Sequence, residues 1–195
     1  MAEITPMMQQ YMKTKEEYKD CILFYRLGDF YEMFDEDAKT AAAELNLTLT
    51  TRDRNKPPEE RTPMCGVPYH SCESYIARLI AKGYKVAICE QTEDPAQAKG
   101  LVKRDVIRII SPGTVTESSM LEEGRSNYIC AVFLNGAKGG AAFCDISTGE
   151  FCCAAFESEA QTHILNELGR FSPREALLSP GAEQDGGIKD FLLQK

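Results

Sequence analysis

The alternation of two periodicities along these 195 residues constrains the fold most. Short β-prone runs at 21–25, 85–89 and 106–110 are separated by stretches whose apolar residues recur at helical spacing. Ala38, Ala41, Ala42 and Leu45 stand at i, i+3, i+4 and i+7, one face of a helix over 35–45. Tyr75, Ile76, Leu79 and Ile80 form a second stripe, opened by Ser71 as an N-cap and stopped at Gly83. Ahead of both, Thr5-Pro6 is a helix-start signal followed by Met7, Met8, Tyr11, Met12 and Tyr18 at roughly helical spacing. Residues 47–51 alternate as a strand does, and 52–61 read as a polar loop. Strands that alternate with helices cannot make an all-helical bundle or a pure sandwich. The class is mixed α/β, with at least one antiparallel element.

The pattern breaks at 116–126, which is polar, acidic and aperiodic and reads as a linker. Beyond it, runs at 127–134, 140–146 and 150–156 are joined by turn-forming Gly, Asn and Ser-Thr-Gly segments, which predicts an antiparallel meander. A helix at 158–168 and a strand at 175–179 follow, and the last residues enter a new helical pattern at 188–193. Two α/β domains are therefore expected, at 1–115 and 127–195, the second incomplete.

Composition excludes several functions. No run approaches the roughly 20 apolar residues of a membrane span, and Met1-Ala2-Glu3 does not begin a cationic leader, so a cytosolic protein is expected. The eight cysteines lie within apolar segments, where a free thiol behaves as a small hydrophobe. Cys65, His70 and Cys72 cluster, but without a Cys-x-x-Cys hook or a second pair, which argues against zinc. The net charge of −8 disfavours a polyanionic partner, yet residues 1–115 carry 16 Lys/Arg against 18 Asp/Glu, whereas 116–195 carry 6 against 12. The acidic excess belongs to the second half.

No P-loop, dinucleotide-binding glycine pattern, nucleophile elbow or His-Glu-x-x-His motif is present. One enzyme reading remains, a metal-dependent nuclease centred on Asp145 with Glu150, Glu157 and Glu175, which would need those carboxylates to converge on ions. The simpler reading of Asp145 is a turn-flanking cap. The stronger signal is the string Phe24-Tyr-Arg-Leu-Gly-Asp-Phe-Tyr-Glu-Met-Phe34. Extended-chain alternation puts Phe30 and Glu32 on one side and Tyr31 on the other. An aromatic ring beside a turn can stack on a base, and a carboxylate can reach a base edge, whereas the same pair makes a poor core.

Five blocks, in order, resemble the N-terminal domain of the MutS mismatch-repair family: Thr5-Pro-Met-Met-Gln-Gln-Tyr11, Phe24 to Phe34, Gly66-Val-Pro-Tyr-His70, Val86-Ala-Ile-Cys-Glu-Gln91 and Ile110-Ser-Pro-Gly-Thr114. Asp145-Ile-Ser-Thr-Gly149 resembles the start of that family's ribonuclease H-like connector domain. The resemblance implies a mismatch-recognition domain in which Phe30 enters the minor groove and stacks on a mispaired base, Glu32 hydrogen-bonds that base, and Arg52 touches the DNA backbone. Arg54, Lys56 and Arg61 in the following loop, and Lys103 and Arg104 in a basic stretch with Lys99 and Arg108, are further candidates for phosphate contact. It also implies mismatched duplex DNA, a second MutS subunit and a MutL-type protein as partners, in the bacterial cytosol at the nucleoid. No cofactor is expected in these residues, and none of them is expected to be catalytic. ATP and magnesium would belong to a C-terminal ATPase domain that this sequence lacks.

Overall fold

A computed structural model describes residues 4–93 and 100–194, which form parts of two compact units, Met1–Ser111 and Pro112–Lys195. The leader reading of Met1-Ala2-Glu3 lies outside the described residues.

In the first unit, α1 (Pro6–Glu17) starts where the Thr5 hydroxyl oxygen accepts from the Met8 amide at 3.3 Å. Strands β1 (Cys21–Leu27) and β2 (Phe30–Phe34) form a hairpin that turns at Gly28, whose φ of +58° suits glycine. Helix α2 (Asp35–Leu45) follows β2 without a spacer, and Asn46 closes it in the left-handed conformation. Then come β3 (Thr50–Thr51), β4 (Pro63–Pro68), α3 (Cys72–Ala81), β5 (Lys85–Gln91) and β6 (Arg104–Ile110). The sheet order is β3-β4-β2-β1-β5-β6, with β1 and β5 parallel and every other pairing antiparallel. The mixed α/β class is as the sequence predicts.

Helix α1 covers one face, where Tyr11 packs edge-on to Tyr25 and Phe34 above Leu23, Ala87 and Cys89. The alternate strand residues, such as Ile22 and Phe24, are buried on the opposite face, as are Ala38, Ala41 and Leu45 of α2 and Ile76 and Leu79 of α3. Two elements differ from expectation. Only Thr50–Thr51 of the 47–51 run pairs as a strand, because Leu47 still donates to the Ala42 carbonyl and the chain is unwinding from α2. Strand β4 was hidden by its prolines at both ends and its glycine, which depress strand propensity although Pro63 and Pro68 sit where a strand end tolerates them.

The second unit is the expected meander, β7 (Tyr128–Asn135), β8 (Lys138–Asp145) and β9 (Glu150–Phe156), followed by α4 (Ala160–Phe171). Strand β10 (Glu175–Leu178) joins β7 in parallel, so the order is β10-β7-β8-β9. Helices α5 (Pro180–Gln184) and α6 (Gly186–Leu193) end the described chain, capped by Ser179 and Asp185. Cys130, Val132 and Phe143 of the sheet share a core with Ile164, Leu168 and Ile188. Residues 112–126 pack with this unit: the Pro112 carbonyl accepts from the Asn127 side-chain amide at 3.0 Å, Val115 is buried, and Glu122 pairs with Arg174.

Candidate nucleic-acid interface

Of the five residues of β2, Phe30 alone is exposed, at 46%, while Tyr31, Glu32, Met33 and Phe34 are buried. A single exposed aromatic is ordinary on a protein surface. What distinguishes Phe30 is the turn that carries it. Tyr69 donates its amide to the Asp29 carbonyl at 3.0 Å, Arg26 donates Nε to the Gly28 carbonyl, and Phe30 lies opposite Leu27 on one side and Pro68 on the other. The Arg26 guanidinium sits 3.5 Å from the centre of the Tyr69 ring and pairs with Glu90 at 3.3 Å. Glu90 also accepts from the Tyr31 hydroxyl; burial, and then that carboxylate, raise the Tyr31 phenol well above its ordinary range. The backbone beneath the exposed ring is thus held from both sides by strand pairing, by a stacked cation and by a shared carboxylate.

Glu32 lies two residues along, on the same side of the strand as Phe30. Only 8% of it is exposed. Its Oε1 accepts from an Arg52 terminal nitrogen at 2.7 Å, whereas its buried Oε2 has no hydrogen-bond partner. Gly66 faces it across β4, where a Cβ would stand 3.2 Å from the Tyr31 carbonyl and 3.4 Å from Glu32 Cγ. The spacing of Phe30 and Glu32 in the sequence therefore became a real shared face. The ion pair to Arg52 has no signature in the sequence, since its partners stand 20 residues apart.

The other basic candidates are distributed unevenly. Arg54 and Arg61 are exposed on the loop after β3, where Arg61 donates to the Lys56 and Arg54 carbonyls, and Lys56 pairs with Asp53 at 3.3 Å. Lys103 is exposed and pairs with Asp105 at 3.2 Å, and Arg108 is exposed. Arg104 is turned inward. It is 8% exposed, donates to the Arg26 and Val102 carbonyls and to Gln10, and lies 5.2 Å over the Tyr25 ring. Its charge is used inside the fold because the turn and α1 leave carbonyl and amide oxygens there to satisfy. Lys99 lies outside the described residues.

Comparison with known proteins decides the family. The model of MutS domain I matches residues 5–119, and that of MutS domain II matches residues 127–194. This chain belongs to the MutS family. It is 55% identical to the DNA mismatch repair protein MutS of Acetivibrio thermocellus over 196 aligned residues, covering 100% of this chain and 22% of that protein. Identity is 50% to MutS of Ruminiclostridium cellulolyticum, with the same coverage, and 55% to MutS of Clostridium perfringens, covering 98% of this chain and 21% of that protein. The chain spans about a fifth of the length of these relatives. No helix among its described residues is long and apolar enough to cross a membrane.

The carboxylates of the nuclease reading do not converge in this MutS chain. Asp145, 1% exposed at the end of β8, accepts from the Asn127 amide at 2.9 Å and from the Ser147 amide and hydroxyl at 2.9 and 2.6 Å. Glu150 takes the Tyr128 hydroxyl, Glu157 pairs with Lys138 at the far end of the β8–β9 ladder, and Glu175 accepts from the Gly113 amide. Among the described residues no three His, Cys, Asp or Glu side chains cluster to hold a metal. The Cys65 thiol donates to the Ala38 carbonyl, and burial, with Asp37 nearby, pushes it up to about 11. Cys21, Cys65, Cys89 and Cys130 are buried, Cys153 is exposed, and all eight cysteines are free.

For Asp145, burial disfavours the charge, but the hydrogen bonds from Ser147 and Asn127 outweigh it and hold the carboxyl below the usual range. A carboxyl lowered on folding stabilises the fold above its ordinary value of about 3.9, and that contribution fades as pH falls through the lowered value. Asp145→Asn should therefore cost the second unit about 1–2 kcal/mol at neutral pH and flatten its acid limb. Urea unfolding at a series of pH values measures both. An unchanged acid limb would remove Asp145 from this role.

Proposed function

We propose that this chain recognises mispaired or unpaired bases in duplex DNA, with Phe30 stacking on an extruded or tilted base from the minor groove and Glu32 meeting that base at its edge. The observation that carries this reading is the exposed Phe30 ring on a braced turn with Glu32 on the same strand face. Kinking and unstacking a paired step is more costly than deforming a mispaired one, so a wedge can discriminate without reading sequence. Arg54, Lys56, Arg61 and Lys103 are suited to phosphates, which fix position but carry no sequence information, and Arg52, held against Glu32, is suited to a phosphate beside the inserted ring. In the same reading, ATP and magnesium act in a C-terminal domain outside this chain, and a second MutS subunit and a MutL-type protein are its partners in the bacterial cytosol.

Titration of a duplex with a single mispair against its paired counterpart, at matched salt, tests the reading in the full-length protein. Tighter binding to the mispair is expected, and equal affinity would refute it. In the same assay Glu32→Gln should raise affinity for the paired duplex more than for the mispaired one. On the paired duplex the carboxylate meets no base donor and either faces the negative potential of the groove or keeps Arg52 from a phosphate, whereas a mispaired base supplies a donor. A larger gain on the mispair would reverse the role given to Glu32.

A further inference from the structure

Resting on the reading above, we infer that Arg52 is a displaceable counter-ion: it holds Glu32 in the DNA-free protein and moves to a phosphate when a mispaired base takes over the carboxylate. The contact in the free protein is incomplete in a specific way. One Arg52 nitrogen reaches Oε1 at 2.7 Å, while Oε2 is buried without any donor. A carboxylate can accept from both forks of a guanidinium, and a buried oxygen left bare is costly, so this pair is poised to exchange. The two partners also differ in freedom. The Glu32 side chain is 11% exposed on a central strand, whereas that of Arg52 is 48% exposed just after a two-residue strand. Arg52 is the member free to leave.

For Glu32 to meet a base, its side chain must turn outward, since only 11% of it is exposed where it stands. That rotation removes Oε1 from Arg52 and sets an exposed cation loose beside the bound backbone. On a mispair, one base donor and one phosphate replace one ion pair. On a paired duplex no donor is offered, and Arg52 stays on Glu32. Arg52 is then a specificity-determining residue, because its phosphate contact forms only when the base contact does.

The salt dependence of binding reads this directly, because each phosphate neutralised steepens the fall of log K against log salt by about 0.9. In the full-length protein, Arg52→Met should reduce the slope by about 0.9 on a duplex with one mispair and leave it unchanged on the paired duplex. A double-mutant cycle supplies the second arm. Arg52→Met should weaken mispair binding roughly tenfold in a Glu32→Gln background but only about threefold with Glu32 present, where losing the phosphate is partly offset by no longer having to break the pair. Equal slope losses on both duplexes would show that Arg52 contacts phosphate regardless of the base. Equal losses in both backgrounds would show that the pair persists on DNA. Either result overturns the exchange while leaving mispair preference in the unmutated protein intact, whereas absence of that preference would overturn the underlying reading. Circular dichroism of each variant confirms folding.

Discussion

In the full-length protein, replacing Phe30 with alanine is expected to lower affinity for mispaired DNA by about one to two orders of magnitude, with paired duplex changed little. Stacking a base on an aromatic ring returns roughly 1–3 kcal/mol and tolerates any base, whereas paired-duplex affinity comes from phosphate contacts that Phe30 does not make. Phe30 is 46% exposed, and every other residue of its strand is buried. Truncation at this half-exposed site opens no enclosed cavity, and stability should shift by no more than about 1 kcal/mol. This separation makes the test clean. Equal weakening on both duplexes, or a large stability loss, would mean that the ring is packing.

The largest effect on stability is expected at Asp37. Strand β1 pairs with β2 only through Tyr25–Leu27, so the Leu23 amide has no strand partner on that side. Asp37 of α2 supplies one at 3.0 Å and pairs with Lys15 of α1 at 2.9 Å, with the Tyr11 hydroxyl at 3.5 Å. Burial, and then the Asp37 charge, raise the Tyr11 phenol far above its ordinary range. One carboxylate thus ties both helices to the central strand. Asp37→Ala would leave the buried Leu23 amide without an acceptor and Lys15 with only the Tyr18, Lys19 and Cys21 carbonyls, a loss on the order of 2–4 kcal/mol. Domains are typically stable by roughly 5–15 kcal/mol, so this variant should lose a large share of the first unit's stability. Chemical denaturation followed on resonances of the first unit measures it. A loss below about 1 kcal/mol would show that water replaces the carboxylate.

What was legible in the sequence follows a physical rule. Elements with strong periodicity, such as α1, α2, α3 and the β7–β9 meander, were readable because local spacing alone determines them, although Ser71 at the start of α3 donates to the Pro68 carbonyl and makes no capping bond. Phe30 and Glu32 were readable for the same reason, since two residues on one strand share a face. Relations between distant residues were not. Asp37 reads as one more acidic residue in the first turn of a helix, and its role depends on an incomplete hairpin that the sequence does not reveal. Arg104 reads as part of a basic stretch, and only tertiary packing turns it inward. For Arg52 the resemblance implies only the DNA backbone, and the fold places it against Glu32.

The bracing of the β1–β2 turn has a mechanical consequence. Two bodies pressed together share strain in inverse proportion to their stiffness, as springs in series do. Paired to strands on both sides and stacked through Arg26 and Tyr69, the tip behind Phe30 has little give of its own. In the role proposed here, nearly all the yielding falls to the duplex, so the compliance being gauged is that of the DNA. Slackening the tip, as Arg26→Ala would, turns a hard stylus into a soft one that conforms to sound and faulty steps alike.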